Sequence, residues 1–159
     1  MPNTGLATPR IAYNDAYSRT WIEYLSPRAW RGRVTAEFRC VRLSEVDGAG
    51  CGIDPAKVEG WYLALINRQA IPPIVVHEKD DGRYYAHDGN HRLEAVYHFL
   101  GSQAAEATVR VAVAQPRAGW VFRRVAYDDY FTYELSQAGC ERAPHILPEG
   151  GDASRAVNA

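Results

Sequence analysis

A polar turn between a strand and a helix is the feature that most constrains how this chain folds. The turn has the sequence Asp88-Gly89-Asn90-His91-Arg92. The aromatic run 83–87 before it is typical of a β-strand, and residues 93–100 after it carry one apolar helical stripe that ends at Gly101. A strand that passes directly into a helix predicts a small, single α+β domain in which helices pack on a mixed sheet.

The start of that helix is a predicted phosphate site. Its first backbone N–H groups lack helical partners and carry a partial positive charge, which favours a bound anion. Gly89 permits positive φ or close backbone approach, Asn90 offers an amide donor, and Arg92 is able to hold two phosphate oxygens. His91 is a candidate catalytic residue as well as a phosphate donor, because it can shuttle a proton near neutral pH. The alternative is that Arg92 pairs with a nearby acid and His91 has a structural role.

Two carboxylates are candidates for the chemistry. Asp88 has three interpretations: it caps the helix, binds Mg²⁺, or acts as a base. An acid beside phosphates repels them unless a metal or a proton intervenes, which argues either for Mg²⁺ nearby, with Asp88 as the candidate ligand, or for Asp88 facing the acceptor rather than the nucleotide. Asp47, in the Gly-rich loop 45–52, is the candidate base for a hydroxyl group or water, and its alternative role is to cap a turn.

Composition narrows the class of protein. The chain has 159 residues, of which 47% are hydrophobic, so it is able to form one core, and its formal charge of −1 gives no overall attraction for nucleic acid. A local basic surface would come from an arginine stretch, whose alternative is a solvated surface: Arg28, Arg31, Arg33, Arg39 and Arg42. Cys40, Cys51 and Cys140 are too widely spaced for a zinc site, so we expect free thiols. Because we find no signal segment or long apolar run, we expect a cytoplasmic protein with no membrane contact.

The chain divides into four predicted segments. These are an N-terminal arm and helix at 1–32, a core at 33–116, a C-terminal extension at 117–147, and a tail expected to be disordered at 148–159. The predicted core elements are a strand at 34–43, a helix at 54–68, a buried strand at 74–76, a turn at 79–82, the strand–turn–helix at 83–100, and a strand at 108–114. Residues 15–25 favour a helix, and 120–133 favour a helix or an ordered loop that packs on the core.

The predicted hairpin carries two histidines and several tyrosines. His77 and His87 are interpreted as exposed hairpin residues, with a metal pair as the alternative. Tyr84, Tyr85 and Tyr97 are expected to pack in the core or at its rim rather than to stack on a base.

The order of elements from Val41 to Val113, together with the Asp-Gly-Asn-His-Arg turn, resembles the ParB N-terminal/sulfiredoxin-like fold. Members of that family use this turn to hold nucleotide phosphates. Asn90 stands where sulfiredoxins have their reactive cysteine, and His91 and Glu94 stand where ParB proteins have arginine. The pattern is more similar to that of the free serine kinases and nucleotide hydrolases of this fold.

The resemblance implies a nucleotide-dependent phosphoryl-transfer enzyme. It would bind ATP or another nucleotide with Mg²⁺ at the 88–92 turn and pass the phosphate to water or to a small hydroxyl compound such as free serine. One alternative is a DNA-acting factor, with nuclease activity or nucleotide-gated DNA binding. The other is a non-catalytic nucleotide-binding regulator that works through a protein partner.

Overall fold

The computed structural model describes residues 10–49 and 52–139, and all structural statements refer to these ranges. The helices are α1 (Asp15–Thr20), α2 (Pro55–Ile66) and α3 (Asn90–Leu100), and α1 continues as a π-helical segment over Trp21–Leu25. The strands are β1 (Val34–Arg42), β2 (Val46–Asp47), β3 (Ile74–Glu78), β4 (Tyr84–Asp88), β5 (Thr108–Pro116), β6 (Trp120–Ala126) and β7 (Phe131–Gln137). Short 3₁₀ segments occur at Arg28–Trp30, Leu43–Glu45 and Gly101–Glu106.

Five strands of the described ranges form one mixed sheet in the order β1-β5-β3-β4-β2. The pairs β1–β5 and β3–β4 are antiparallel, whereas β3–β5 and β2–β4 are parallel. The β-branched run 74–76 lies at the centre and is buried on both faces, as its composition predicts. The α+β fold class predicted from the sequence is therefore confirmed.

Helices α2 and α3 cover one side of the sheet, which we call the helix face. Alternate strand residues point to this side, since successive side chains of a strand face opposite ways. The core on this face includes Val58 and Leu65 of α2, Leu93 and Val96 of α3, and Ile74, Val76, Val111 and Val113 of the sheet. The start of α2 is fixed by Asp54, whose side chain accepts a hydrogen bond from the Ala56 N–H at 3.0 Å.

Strands β6 and β7 form a separate antiparallel hairpin, which we call the ribbon. Together with residues 15–30, the ribbon covers the opposite side of the sheet, which we call the ribbon face. A second core lies there, formed by Ile22, Trp30, Val34, Val75, Ala112, Ala114 and Leu135. The sheet is thus the middle of three layers.

The helix or ordered loop expected over 120–133 is wrong, because this segment supplies β6 and the start of β7. Trp120 and Phe122 alternate toward the sheet, and Leu135 is paired with Phe122 across the ribbon. Aromatic residues with a period of two favour a strand. The two arginines that follow Phe122 concealed this period in the sequence.

Two further segments differ from the expectations. The loop predicted over 45–52 contains the short strand β2, whose two residues pair in parallel with β4. The expected tail at 148–159 lies outside the described residues, as do Cys51 and Cys140, whereas Cys40 is an exposed free thiol. Within the described ranges, we find no helix of sufficient length and apolar character to span a membrane.

Candidate functional site

Gly89 sets the geometry of the turn between β4 and α3. It has a φ of 99° and a ψ of 24°, a left-handed conformation that favours glycine. A Cβ atom at this position would lie 2.6 Å from Nη2 of Arg92. The positive φ expected of this glycine is confirmed, and the group that lies close to it is the guanidinium of Arg92.

Arg92 is buried, with only 1% of its surface exposed. Its Nη2 lies 3.2 Å from Oδ2 of Asp88, four residues earlier, and donates a long hydrogen bond of 3.5 Å to the Pro73 carbonyl. The guanidinium carbon also lies 5.3 Å from the centroid of the Trp61 ring on α2. The Nε of Arg92 is buried and has no hydrogen-bond partner among the described residues. Arg92 is therefore held inside the fold by its contacts with Asp88, Pro73 and Trp61, and its buried Nε has no partner among the described residues.

His91 is fully buried, and its protonation pattern is set by a backbone group. The N–H of Asp54, just before α2, donates to Nε2 of His91 at 3.0 Å. Since a backbone N–H is only a donor, Nε2 carries no proton, and the neutral ring has its proton on Nδ1. That Nδ1 is buried and has no partner among the described residues. His91 thus presents Nδ1 as a hydrogen-bond donor, and its acceptor nitrogen Nε2 already accepts from the Asp54 N–H.

Asn90 joins the turn to the loop that leads from β2 to α2. Its Oδ1 accepts from the Ala49 N–H at 2.8 Å, and its Nδ2 donates to the Ala86 carbonyl at 3.3 Å. A Cβ atom at Gly48 would lie 3.1 Å from the same Oδ1, so the loop passes close to the side chain. The amide donor expected of Asn90 is used within the protein in this arrangement.

The start of α3 is consequently a cluster of donors without a matching set of acceptors. No side chain caps the helix, because its N-cap residue is Gly89. Two buried donors in the first turn of α3, Nδ1 of His91 and Nε of Arg92, have no hydrogen-bond partner among the described residues. A buried donor without an acceptor is costly, so such atoms in a native fold point to a missing partner. An oxyanion is the partner that fits unpaired donors at a helix N-terminus.

Asp47 lies on the other side of the sheet from the turn. In the parallel β2–β4 pair it is in register with Tyr85, whose ring lies on the ribbon face, whereas Asp88 pairs with Arg92 of α3. Its carboxylate accepts from Arg83 at 2.6 Å and from Lys79 at 2.9 Å. The hydrogen bond from Arg83, followed by that from Lys79, lowers the pKa of Asp47 despite its partial burial. The structure therefore does not bring Asp47 together with the other predicted site residues.

The carboxylate of Asp88 does not fit a Mg²⁺ ligand in this arrangement. It is buried and already paired with Arg92, so a metal ion there would lie beside another cation. Among the described residues, no group of three or more histidine, cysteine or acidic side chains has the geometry to hold a metal ion. The metal role of Asp88 stays a prediction that these contacts do not support.

The arginine stretch that would supply a local basic surface is partly engaged within the protein. Arg39 on β1 donates to Glu37 at 2.7 Å and to Glu78 at 2.8 Å. Arg33 lies over the Trp120 ring at 4.3 Å from its centroid. These contacts use the guanidinium groups that phosphate binding would require.

The two hairpin histidines are the feature that sequence reasoning missed. His77 and His87 were expected to be exposed, but their exposures are 3% and 9%. Nδ1 of His77 and Nε2 of His87 lie 2.7 Å apart, so the rings share one hydrogen bond. Burial lowers the pKa of His77 to about 4 and lowers that of His87 in the same direction. In the sequence, His77 follows Val76 and His87 follows Ala86. Because successive residues of a strand face opposite ways, this alternation indicates that both histidines lie on the face opposite to Val76 and Ala86, which is the ribbon face.

Comparisons with known proteins give limited information. No family model matches the chain, and no curated protein matches it. Among solved structures, the chain is similar to SbnI with C-terminal truncation from Staphylococcus aureus, at 21% identity and with a TM-score of 0.39. The match covers 55% of this chain and 34% of that one, so the chain spans about a third of that structure's length. Similarity at this level establishes neither a family nor an activity, and the resemblance to the ParB/sulfiredoxin-like fold stays a prediction.

Proposed function

We propose that this protein binds a nucleotide through its phosphate groups at the start of α3. The observation that supports this is the pair of unpartnered, buried donors on His91 and Arg92 beside an uncapped helix N-terminus. Phosphate oxygens would accept from both donors and from the first backbone N–H groups of the helix. The bound nucleotide would then serve phosphoryl transfer to water or to a small hydroxyl compound.

Binding would require the polar contacts of the turn to rearrange. In the structure, the Asp88 carboxylate pairs with Arg92, and the Asn90 side chain accepts a hydrogen bond from the loop at 48–49. A phosphate at Arg92 would share the guanidinium with Asp88, which repels it unless the carboxylate turns away or is neutralised. Displacement of the Ala49 and Asp54 N–H groups from α3 would open the approach and supply two more donors.

A second candidate function is a non-catalytic nucleotide-binding regulator, and one observation favours it. The three predicted catalytic groups are each engaged: Asp47 with two cations, Asp88 with Arg92, and the basic nitrogen of His91 with a backbone N–H. Of the described residues near the turn, none offers a ready general base. Measured turnover of the bound nucleotide therefore distinguishes a phosphoryl-transfer enzyme from a non-catalytic regulator.

The first test is nucleotide binding to the wild-type chain and to Arg92→Lys. Lysine keeps the positive charge beside Asp88 but removes the Nε donor and the planar fork. We expect ATP, GTP or CTP to raise the melting temperature of the wild type, and Arg92→Lys to weaken binding at least roughly tenfold. Arg117→Lys, at an exposed arginine outside the turn, is the matched control and should bind as the wild type does. If no nucleotide stabilises the wild type at millimolar concentration, the proposal is wrong.

The second test is turnover. Release of phosphate from the nucleotide, measured with and without free serine, separates a hydrolase from a kinase. Plasmid nicking under the same conditions tests the DNA-acting alternative. Binding without any of these activities supports the regulator.

A further inference from the structure

A groove of about 500 Å³ lies between α2 and α3. Pro55, Val58 and Tyr62 line it on α2, because residues three and four apart share one side of a helix. Glu94 and His98, also four apart, line it on α3. Its volume is in the range of small-molecule sites, and its lining includes none of the residues of the turn at 88–92.

Much of the surface of this groove is apolar and open to solvent. Val58 is buried, whereas Ile53, just before α2, is 39% exposed and Tyr62 is partly exposed. Ile66, one turn beyond Tyr62 on the same side of α2, is 50% exposed. An exposed apolar patch that borders a depression is typical of a binding surface.

The rim of the groove carries negative charge without a counter-charge. Glu59 on α2 and Glu94 on α3 both line the groove and are exposed. Neither forms an ion pair among the described residues. None of the described lining residues is a lysine or an arginine, so with histidine neutral at pH 7 these two carboxylates give the groove a formal charge of −2.

The cations of the same two helices point away from this rim. Lys57 precedes Glu59 by two residues, and residues two apart on a helix do not face each other. The same spacing separates Arg92 from Glu94. Arg92 is also buried and pairs with Asp88. The negative charge of the rim is therefore available to a ligand.

A metal ion is not the cation that fits this groove. Among the described residues, no group of three or more histidine, cysteine or acidic side chains has the geometry to hold one. An organic cation, by contrast, would use both properties of the groove, the unpaired carboxylates and the apolar surface between them.

We propose that the groove between α2 and α3 binds a small organic cation, a primary amine carried on an apolar ring. The ammonium group donates to the carboxylates of Glu59 and Glu94. The ring packs on Val58 and beside Ile53 and Tyr62, which removes their exposed apolar surface from water. This assignment does not depend on the nucleotide site, because it uses none of the donors at the start of α3.

The probes are tryptamine, indole-3-acetate and methylamine, titrated into the isotopically labelled chain and followed by amide NMR shifts. Indole-3-acetate has the same ring system with the opposite charge, and methylamine supplies the charge without the ring. We expect tryptamine to shift the resonances at 56–62 and 94–98 in a saturable way. Indole-3-acetate and methylamine should bind at least roughly tenfold more weakly.

Glu59→Gln and Glu94→Gln each remove one negative charge from an exposed position and keep the shape of the groove. We expect each variant to weaken tryptamine binding about threefold and the double variant to weaken it roughly tenfold. Glu106→Gln, which removes a negative charge from an exposed position outside the groove, is the matched control and should stay within about twofold of the wild type. The proposal is overturned if tryptamine does not saturate by about 10 mM, if indole-3-acetate binds equally well, or if the double variant binds like the wild type.

Discussion

The two faces of the sheet bury polar groups in opposite ways. On the helix face, the buried side chains of Asp88 and Arg92 pair with each other, and two donors next to that pair have no acceptor among the described residues. On the ribbon face, His77 and His87 satisfy each other and lose their charge through burial. A buried charge costs several kcal/mol unless it is paired, whereas a neutral imidazole packs readily among aromatic rings. The helix face therefore keeps hydrogen-bond donors that the described residues do not satisfy, whereas the histidine pair is a structural element that responds to pH.

The largest expected effect comes from Asp88→Asn. This change leaves the buried guanidinium of Arg92 without its counter-charge. We expect the free energy of unfolding, measured in urea, to fall by about 3–5 kcal/mol.

The matched control is Asp15→Asn, which removes the partner of Arg110 from a pair that is about one-third exposed. Solvent screens that pair, so its loss should cost at most about 1 kcal/mol. Equal losses in the two variants would show that the helix-face pair is not buried in solution, and the contrast between the faces would fail.

The second effect is the pH dependence of the histidine pair. The pKa of His77 is about 4 in the folded chain and near 6.5 when unfolded, so the unfolded state binds more protons between these values. Stability should therefore fall as pH drops from about 6.5 to 4, by about 3 kcal/mol for His77 alone, and His87 adds to the loss. Carboxylates with a lowered pKa, such as Asp47, change the stability mainly below about pH 4, where they become protonated.

Urea unfolding at several pH values measures this loss. The double variant His77→Leu/His87→Leu should flatten the profile between pH 4 and 6.5, whereas His98→Gln, at an exposed histidine of α3, should not change it. A profile that stays steep in the double variant would assign the titration to other groups.

Local patterns were sufficient to predict much of this fold. The run 74–76 lies at the sheet centre because its β-branched residues are buried on both faces, and Asp54 with Pro55 marks the start of α2. The turn at 88–92 lies where a strand passes into a helix, as its residues indicate. Each of these features depends on residues that are neighbours in the chain.

The contacts that close the turn could not be predicted from such patterns. Ala49 and Asp54 donate to Asn90 and His91 across about 40 residues of sequence, and nothing local specifies such a pairing. The face on which Asp47 lies depends on the register of the two-residue strand β2, and a slip of one residue would reverse it. Burial of the site residues is thus a property of the tertiary fold.

A third, smaller effect tests how closely Arg92 packs in the turn. Gly89→Ala adds a Cβ atom 2.6 Å from the guanidinium in a left-handed conformation, and we expect a loss of about 2–3 kcal/mol in urea unfolding. Gly82→Ala has a similar φ of +84° but open space around it, so it should lose only about 1 kcal/mol. The difference between the two variants measures the contact with Arg92, and no difference would mean that the guanidinium is free to move.

The smallest effect is expected for Asp47→Asn, and it decides whether the two faces act together. Asp47 is partly exposed and its pairs with Lys79 and Arg83 are screened, so the variant should lose at most about 1 kcal/mol. Because its side chain lies on the ribbon face, nucleotide affinity should stay within about twofold of the wild type, measured by the same titration that tests Arg92→Lys. Any turnover of the wild type should also persist, since a base on the opposite face does not reach a phosphate at α3. A loss of turnover with affinity unchanged would instead make Asp47 the catalytic base and would require β2 to shift on binding, by one residue in register, so that the carboxylate reaches the helix face.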